Sequence, residues 1–374
     1  MGAGAIDGAP DGHTALVESR FARFATGPGR NLALPGAGAT GARWRTLAAL
    51  AEQDLALGRL AEGHADALAI IAEVDPGVAR VPPGSRWGVW AAEPPGSRLT
   101  ATRRDGTWIL DGVRRYCSGA LMCTHALVTA DTADGSRLFR IDLDHVGYRP
   151  RPDSWPAVGM AASQTLDVEL DGVPGQPLGS VGAYLDRPGF HHGGAGVAAC
   201  WFGGARAVAR PLTAAARAGR LDAHGLAHLG TVDLALHTAA QALRTAATEI
   251  DADPADRTGT AEVRALRVRA LVERTCADVL EHVGRALGAE PLCHDAGHAR
   301  AVADLTVYIR QHHAERDLAR LGALAAAPPE RERTETGGTE TGGTETGGTA
   351  TGGTETERTE TGGTGTERTK AATR

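Results

Sequence analysis

Apolar residues recur at steps of three and four along the first part of the chain. In TLAALAEQDLALGRLAEGHADALAIIAEV (46–74), Leu47, Leu50, Leu57, Leu60, Leu68 and Ile71 fall on such steps, and residues 14–75 read as helices. Gly58 and Gly63 lie within that pattern. Each lowers helix propensity by about 1 kcal/mol, so they are expected to permit the close approach of a neighbour. The Pro82–Gly84 stretch closes this segment, giving an N-terminal helical domain over 14–80.

From Trp87 the pattern shortens to runs of strand length: WGVWAAE, RLTATRR, TWILDG, HALVTAD, RLFRIDL and TLDVELDG. Turn signals such as RRDGT, TADGS and LDGVPG separate them, and Arg104–Gly106 is the clearest hairpin turn. These predict a middle antiparallel domain of about six strands over 85–182. After Pro188 the helical period returns near 195–218, 222–250, 258–288 and 298–322, with Gly219, Pro254 and Gly288 between segments. Four such helices make a bundle over 190–324. The final stretch, 330–374, is a TETGG repeat with almost no apolar residue and reads as a disordered appendage.

Composition narrows the function. The net charge of −6, with scattered arginines, argues against a nucleic-acid surface. No apolar run approaches the roughly 20 residues of a membrane span. The opening MGAGAIDGAPDGH lacks the order of a signal peptide, and Ile6 stands where myristoylation requires Ser or Thr. Five cysteines without a CxxC read as reduced thiols of a cytoplasmic protein. The only lysine is Lys370, so a P-loop, a pyridoxal Schiff base and a strand-lysine kinase are all excluded from the folded part.

Several motifs lose their chemistry in context. GAGVAA (Gly194–Ala199) matches a dinucleotide pattern, but the preceding DRPGFHHG is loop-like, which leaves helix packing through small residues. The pairs His224/His228 and His294/His298 have metal-ligand spacing, yet Gly225 and Asp295 replace the zinc-protease Glu and no third ligand is evident; no metal is expected. No G-x-S-x-G occurs. In RRYCSGA (114–120), Cys117 reads as buried packing, since only Arg114 and Arg115 adjoin it.

Five segments in order resemble the flavin-dependent acyl-CoA dehydrogenase family over roughly residues 15–322. WAAEPPGSR (Trp90–Arg98) is similar to the family's Thr-Glu-Pro-x-x-Gly-Ser segment, and RRYCSGA to its Lys-x-Trp-Ile-Thr-Asn-Gly segment. VGMAASQTLDVELDGV, GVAACWFGGARAVA and ADLTVYIRQHH match the later stretches. The resemblance implies an α+β fold: an N-terminal helical domain, a middle antiparallel β-barrel-like domain and a C-terminal four-helix bundle.

The same resemblance implies FAD as cofactor, an acyl thioester as substrate and a homodimer or homotetramer. Tyr116 would wall the flavin ring, Ser118 would hydrogen-bond near N5, and Ala91, Ala92 and Ser97 would contact flavin and phosphate. An isoalloxazine ring needs such a wall, hydrogen bonds near N5 and close backbone approach. Arg217 or Arg220 would meet the pyrophosphate, although RLDAHGLAHLG replaces the family's Arg-x-x-Phe-Gly signature. The family's α-proton base falls on His312, with Glu315 the nearest carboxylate. The expected reaction is α,β-dehydrogenation of an acyl thioester. The alternatives are a flavin-dependent monooxygenase, which needs no such base, and a non-catalytic scaffold.

Overall fold

The computed structural model describes residues 12–77 and 81–327. The expected disordered tail and the first residues, where signal and myristoylation patterns were sought, lie outside them. The helical run around Leu47–Val74 is two helices. Asp54 leaves helical geometry (φ −164°, ψ 124°), and its Oδ1 accepts the Leu57 N–H at 3.0 Å while Oδ2 meets His13 Nε2 at 2.6 Å. A carboxylate in that N-cap position ends one helix and starts the next. Thus α1 (Gly12–Thr26) and α2 (Thr40–Gln53) precede α3 (Leu55–Val74). Gly58 makes the corner between the last two, because a Cβ there would lie 2.5 Å from that of Ala51. Gly63 serves no such approach; its nearest neighbour is the Arg59 guanidinium.

Seven strands follow: β1 (Trp87–Trp90), β2 (Arg98–Arg104), β3 (Thr107–Cys117), β4 (His125–Thr132), β5 (Gly135–Asp142), β6 (Tyr148–Arg151) and β7 (Leu166–Leu178). The β2–β3 hairpin turns at Asp105 and Gly106, both at positive φ, as the Arg104–Gly106 signal predicts. The pairings β4–β2, β2–β3, β3–β7, β7–β5 and β5–β4 return on themselves, so the sheet is barrel-like. It is not purely antiparallel. The chain passes through the β2–β3 hairpin before β4 lies parallel to β1, from Trp87↔His125 to Trp90↔Val128. Alternation identifies a strand but not its partner, which is why the parallel pair was not foreseen. The short β6 carries Pro150 and pairs only with β7, a permitted place for a proline in a sheet.

The remaining helices are α4 (Ala183–Asp186), α5 (Pro188–Arg217), α6 (Ala223–Ala252), α7 (Ala261–Leu287), α8 (Glu290–His294), α9 (Ala296–Tyr308) and α10 (Glu315–Ala326). The predicted fourth bundle helix is broken. After a 3₁₀ turn at Ile309–Gln311, His312 is extended (ψ 131°) and Ala314 sits at φ 47°. Asp317 accepts the His313 N–H at 3.0 Å and thereby starts α10. The Ala/Gly-rich α5 is central: Ala198, Ala199, Ala205 and Val208 share one core with Trp44 and Leu47 of α2, Val272 and Val279 of α7, and Leu305 of α9. Gly194–Ala199 lies inside that helix, where a Cβ on Gly196 would stand 3.1 Å from Trp44 Nε1, so close packing is its role. A second core fills the sheet around Leu110, Val128, Phe139 and Val173. Among the described residues no helix is long and apolar enough to cross a membrane.

Candidate functional site

Arg114 and Cys117 of β3 are both buried, although residues three apart would fall on opposite faces of a regular strand. Between them the register against β7 slips, and Tyr116 takes φ 60°. A left-handed non-glycine residue costs about 1–2 kcal/mol. It turns the Tyr116 ring outward, 46% exposed, edge-on to Trp155 at 6.3 Å and beneath the Arg115 guanidinium at 5.5 Å. Burial pushes the Cys117 thiol well above its ordinary pKa, which leaves it protonated packing.

Ser118 begins the turn after β3 and is buried. Its Oγ accepts from Arg59 Nε at 3.2 Å and lies 3.0 Å from Thr165 Oγ1, while its carbonyl accepts from Trp90 Nε1 at 3.0 Å. Ser163 Oγ donates to Met160 O at 2.7 Å, so Thr165 gives its proton to Ser163 at 2.7 Å and the Ser118 O–H is directed at Thr165. The turn is fastened to the 160–165 loop by Gly119 N to Ser163 O at 2.8 Å and Ala120 N to Gln164 O at 3.1 Å. That loop carries left-handed Met160 and Gln164, and the buried Asp304 of α9 accepts the Met160 N–H. A bundle carboxylate therefore holds the loop that holds Ser118.

Burial raises the Asp304 pKa to about 6 from an ordinary 3.8, against the opposing Met160 hydrogen bond. The folded chain thus retains this proton where the unfolded chain has lost it, so stability falls as pH rises from about 4 to about 6 and stays reduced above. The largest penalty is about 3 kcal/mol, taken from the shift at 1.36 kcal/mol per pH unit. Asp304→Asn keeps an acceptor for Met160. It is expected to be the more stable protein at pH 8 by about 1–3 kcal/mol in urea unfolding and to lose that advantage near pH 4.

The β1–β2 loop lies beside the end of β3. Arg114, buried, donates through Nη1 to Ala92 O at 3.0 Å and through Nη2 to Thr129 O, and it faces Glu93 at 3.5 Å. Ser97 Oγ accepts from Arg115 N at 3.4 Å, and Arg115 Nη1 donates to Pro95 O at 3.0 Å. Ala92 and Ser97 are therefore assembled with Tyr116 and Ser118 through the two arginines, and Ala91 belongs to the same loop.

The other predicted residues stand apart. Arg220 is exposed in the turn between α5 and α6, about 25 Å along the α5 axis beyond Cys200 at 1.5 Å per residue. Glu315 is exposed at the start of α10. His312 is buried at the helix break; its Nδ1 accepts the Ala314 N–H at 3.2 Å, and Asp317 lies 3.8 Å from Nε2. Burial lowers its pKa despite Asp317, so the ring is neutral, and the Nδ1 contact assigns its one proton to Nε2.

Sequence reasoning missed a polar cluster on α3. Arg59 and Glu62, three residues apart, form an ion pair through Arg59 Nη1 and Glu62 Oε2, with Glu62 buried and Arg59 half-buried. The Tyr308 hydroxyl is buried against the Cys200 thiol, its side-chain hydrogen-bond partner, with Glu62 and Arg59 as further electrostatic neighbours. Arg43 and Asp66 lie beyond Glu62. Burial raises both the Glu62 and the Tyr308 pKa. The Arg59-x-x-Glu62 spacing was legible, but on a helix such a pair ordinarily faces water. Among the described residues no group of three or more His, Cys, Asp or Glu side chains is arranged to hold a metal ion. His228 pairs instead with His282 of α7, Nδ1 to Nδ1 at 2.8 Å, and His224 and His294 are exposed.

No family model matches the sequence, and no curated protein does. Solved structures match the fold. Dibenzothiophene monooxygenase TdsC from Paenibacillus sp. A11-2, solved with FMN and indole, superposes with a TM-score of 0.67 at 18% identity, over 84% of this chain and 97% of that one. A glutaryl-CoA dehydrogenase from Mycobacterium smegmatis in complex with FADH2 gives 0.65 at 15% identity, over 86% and 96%. The 3-HSA hydroxylase from Rhodococcus sp. RHA1 gives 0.65 at 15% identity, over 85% and 90%. The fold of this chain is the α+β fold of acyl-CoA dehydrogenase-like flavoproteins.

Proposed function

We propose that this chain is a flavin-dependent oxidoreductase, with Tyr116 and Ser118 against the flavin ring and Ala91, Ala92 and Ser97 beside its edge. The observation that carries the reading is Tyr116, held at φ 60° with its ring outward beside the turn that Ser118 begins. Strain of about 1–3 kcal/mol persists where surrounding structure enforces it, and such positions cluster at functional sites. The lining suits the group: an isoalloxazine ring needs an aromatic wall and close backbone approach, which the outward Tyr116 ring and the adjoining β1–β2 loop supply. A bound flavin supplies two-electron transfer and, once reduced, reaction with oxygen. Arg220, remote from this site along α5, is assigned to the cofactor of a neighbouring subunit in a homodimer or homotetramer. Its role separates FAD, which has a pyrophosphate to meet, from FMN.

Within that class, oxygen-using monooxygenation is favoured over α,β-dehydrogenation of an acyl thioester. Abstraction of an α-proton needs a free lone pair at the reacting carbon. The Nδ1 lone pair of His312 is taken by Ala314 N–H, and Glu315 is exposed at the start of α10. A monooxygenase requires neither.

Purified full-length protein is expected to be yellow, and chromatography of the flavin released on denaturation identifies FMN or FAD. An acyl-CoA mixture added without oxygen should leave the colour unchanged, and chemically reduced protein should consume oxygen. A colourless protein that takes up neither flavin overturns the enzyme reading. Bleaching by acyl-CoA restores the dehydrogenase.

A further inference from the structure

We propose that Thr165 and Ser163 are positioning residues that let the Ser118 hydroxyl reverse between donor and acceptor toward a bound flavin, following that flavin's redox state. The inference rests on the flavin reading, with Ser118 facing N5.

Three buried hydroxyls stand in one line. Ser118 Oγ lies 3.0 Å from Thr165 Oγ1, Thr165 Oγ1 lies 2.7 Å from Ser163 Oγ, and Ser163 Oγ lies 2.7 Å from Met160 O. Each hydroxyl has one proton to give, and a carbonyl has none. The Met160 end therefore fixes an order: Ser163 donates to Met160 O, Thr165 to Ser163, and Ser118 to Thr165. Arg59 Nε donates to Ser118 from another side at 3.2 Å. Among the described residues the Ser118 and Thr165 hydroxyls make no other hydrogen bonds. In this order Ser118 has one open lone pair and its proton is engaged.

The opposite order is connected just as fully. Ser163 donates to Thr165, Thr165 to Ser118, and Ser118 outward. Met160 O then gives up the Ser163 hydroxyl but keeps the Ser163 backbone N–H at 3.0 Å. No buried acceptor is orphaned, so the largest penalty for reversal is absent. The frame stays fixed while the protons turn. Asp304 holds the Met160 N–H, and Gly119 N and Ala120 N hold Ser163 O and Gln164 O. A hydroxyl chain with two complete orders takes the one that the group at its open end requires.

N5 is such a group, since it accepts in an oxidised flavin and carries an N–H in a reduced one. A single serine with a fixed proton suits only one of these. With Thr165 and Ser163 behind it, Ser118 gives to the first and receives from the second. Either truncation removes that freedom. In Thr165→Val the Ser118 O–H has no acceptor in the protein and points outward. In Ser163→Ala, Thr165 can donate only to Ser118, which again turns the Ser118 O–H outward, from two side chains away. Both variants should therefore favour the oxidised form.

The test measures the two-electron potential of full-length protein loaded with FMN or FAD, by anaerobic dithionite titration against a reference dye. In Thr165→Val and in Ser163→Ala the reduced form should lose about tenfold in affinity relative to the oxidised one, a fall of about 30 mV. Thr165→Ser should restore the wild-type potential, and Thr165→Val should add nothing in a Ser118→Ala background. An unchanged or higher potential in Ser163→Ala, or a Thr165→Val effect that survives Ser118→Ala, overturns the proposal. Urea unfolding of flavin-free protein examines the chain by itself. Each single variant orphans the same Ser118 proton, so the double variant Thr165→Val/Ser163→Ala should lose about tenfold less in the unfolding constant than the two singles combined. Additive losses overturn the chain. Failure to take up either flavin overturns the flavin reading and the N5 role with it, a result separate from the unfolding cycle.

Discussion

Arg59→Met is expected to destabilise the protein by about 3–5 kcal/mol at neutral pH, because it leaves Glu62 buried without its counter-charge. Glu62 already has a pKa raised by burial, and the loss of Arg59 raises it further. The penalty should therefore shrink as pH falls and Glu62 takes a proton. The double variant Arg59→Met/Glu62→Leu should recover most of the loss, since apolar replacement of a buried pair is often neutral or stabilising. Urea unfolding of the two variants at pH 8 and pH 5 reads all three effects. A single variant with a loss below about 1 kcal/mol would show instead that water reaches Glu62 and that the pair is not truly buried.

Gly203→Ala should cost about 3 kcal/mol or more, for an unrelated reason. A Cβ there would lie 2.1 Å from the Ala48 carbonyl oxygen and 2.9 Å from its carbon. Both are backbone atoms of α2, so no side chain can turn aside. The helices must part, and the apolar core that Trp44 and Leu47 share with Ala199 and Trp201 opens with them. Gly284→Ala in α7 is the control. Nothing lies within 4 Å of its added methyl, and helix propensity alone predicts a gain of about 1 kcal/mol. Thermal unfolding of the pair distinguishes steric crowding from a general effect of glycine replacement.

Periodicity marked other positions without explaining them. Gly58 was legible as a close approach, and the structure gives it Ala51 as its neighbour. Gly63, in the same pattern, faces a water-sized cavity. Asp54 fell in the helical period but ends a helix, because its carboxylate reaches Leu57 N and His13 at once. His13 lies too far away in sequence for any local pattern to supply it. The break at His312 has the same kind of origin, since Asp317 caps a helix that the apolar period alone would have continued.

Local order in the sequence by itself determined the kinds of element, their succession from helices to strands to helices, the hairpin at Arg104–Gly106, and the segment RRYCSGA as a place of interest. Those properties depend on residues near one another in the chain. The parallel β1–β4 pair, the left-handed Tyr116, the Asp304 anchor beneath Ser118 and the burial of Arg59 with Glu62 were decided only by tertiary structure. Each depends on which distant segment excludes water or supplies a partner. An ion pair at i, i+3 has the same spacing on a wet helix face as in a protein interior, and only the packing of α5 and the sheet around α3 makes this one a buried, chemically costly site.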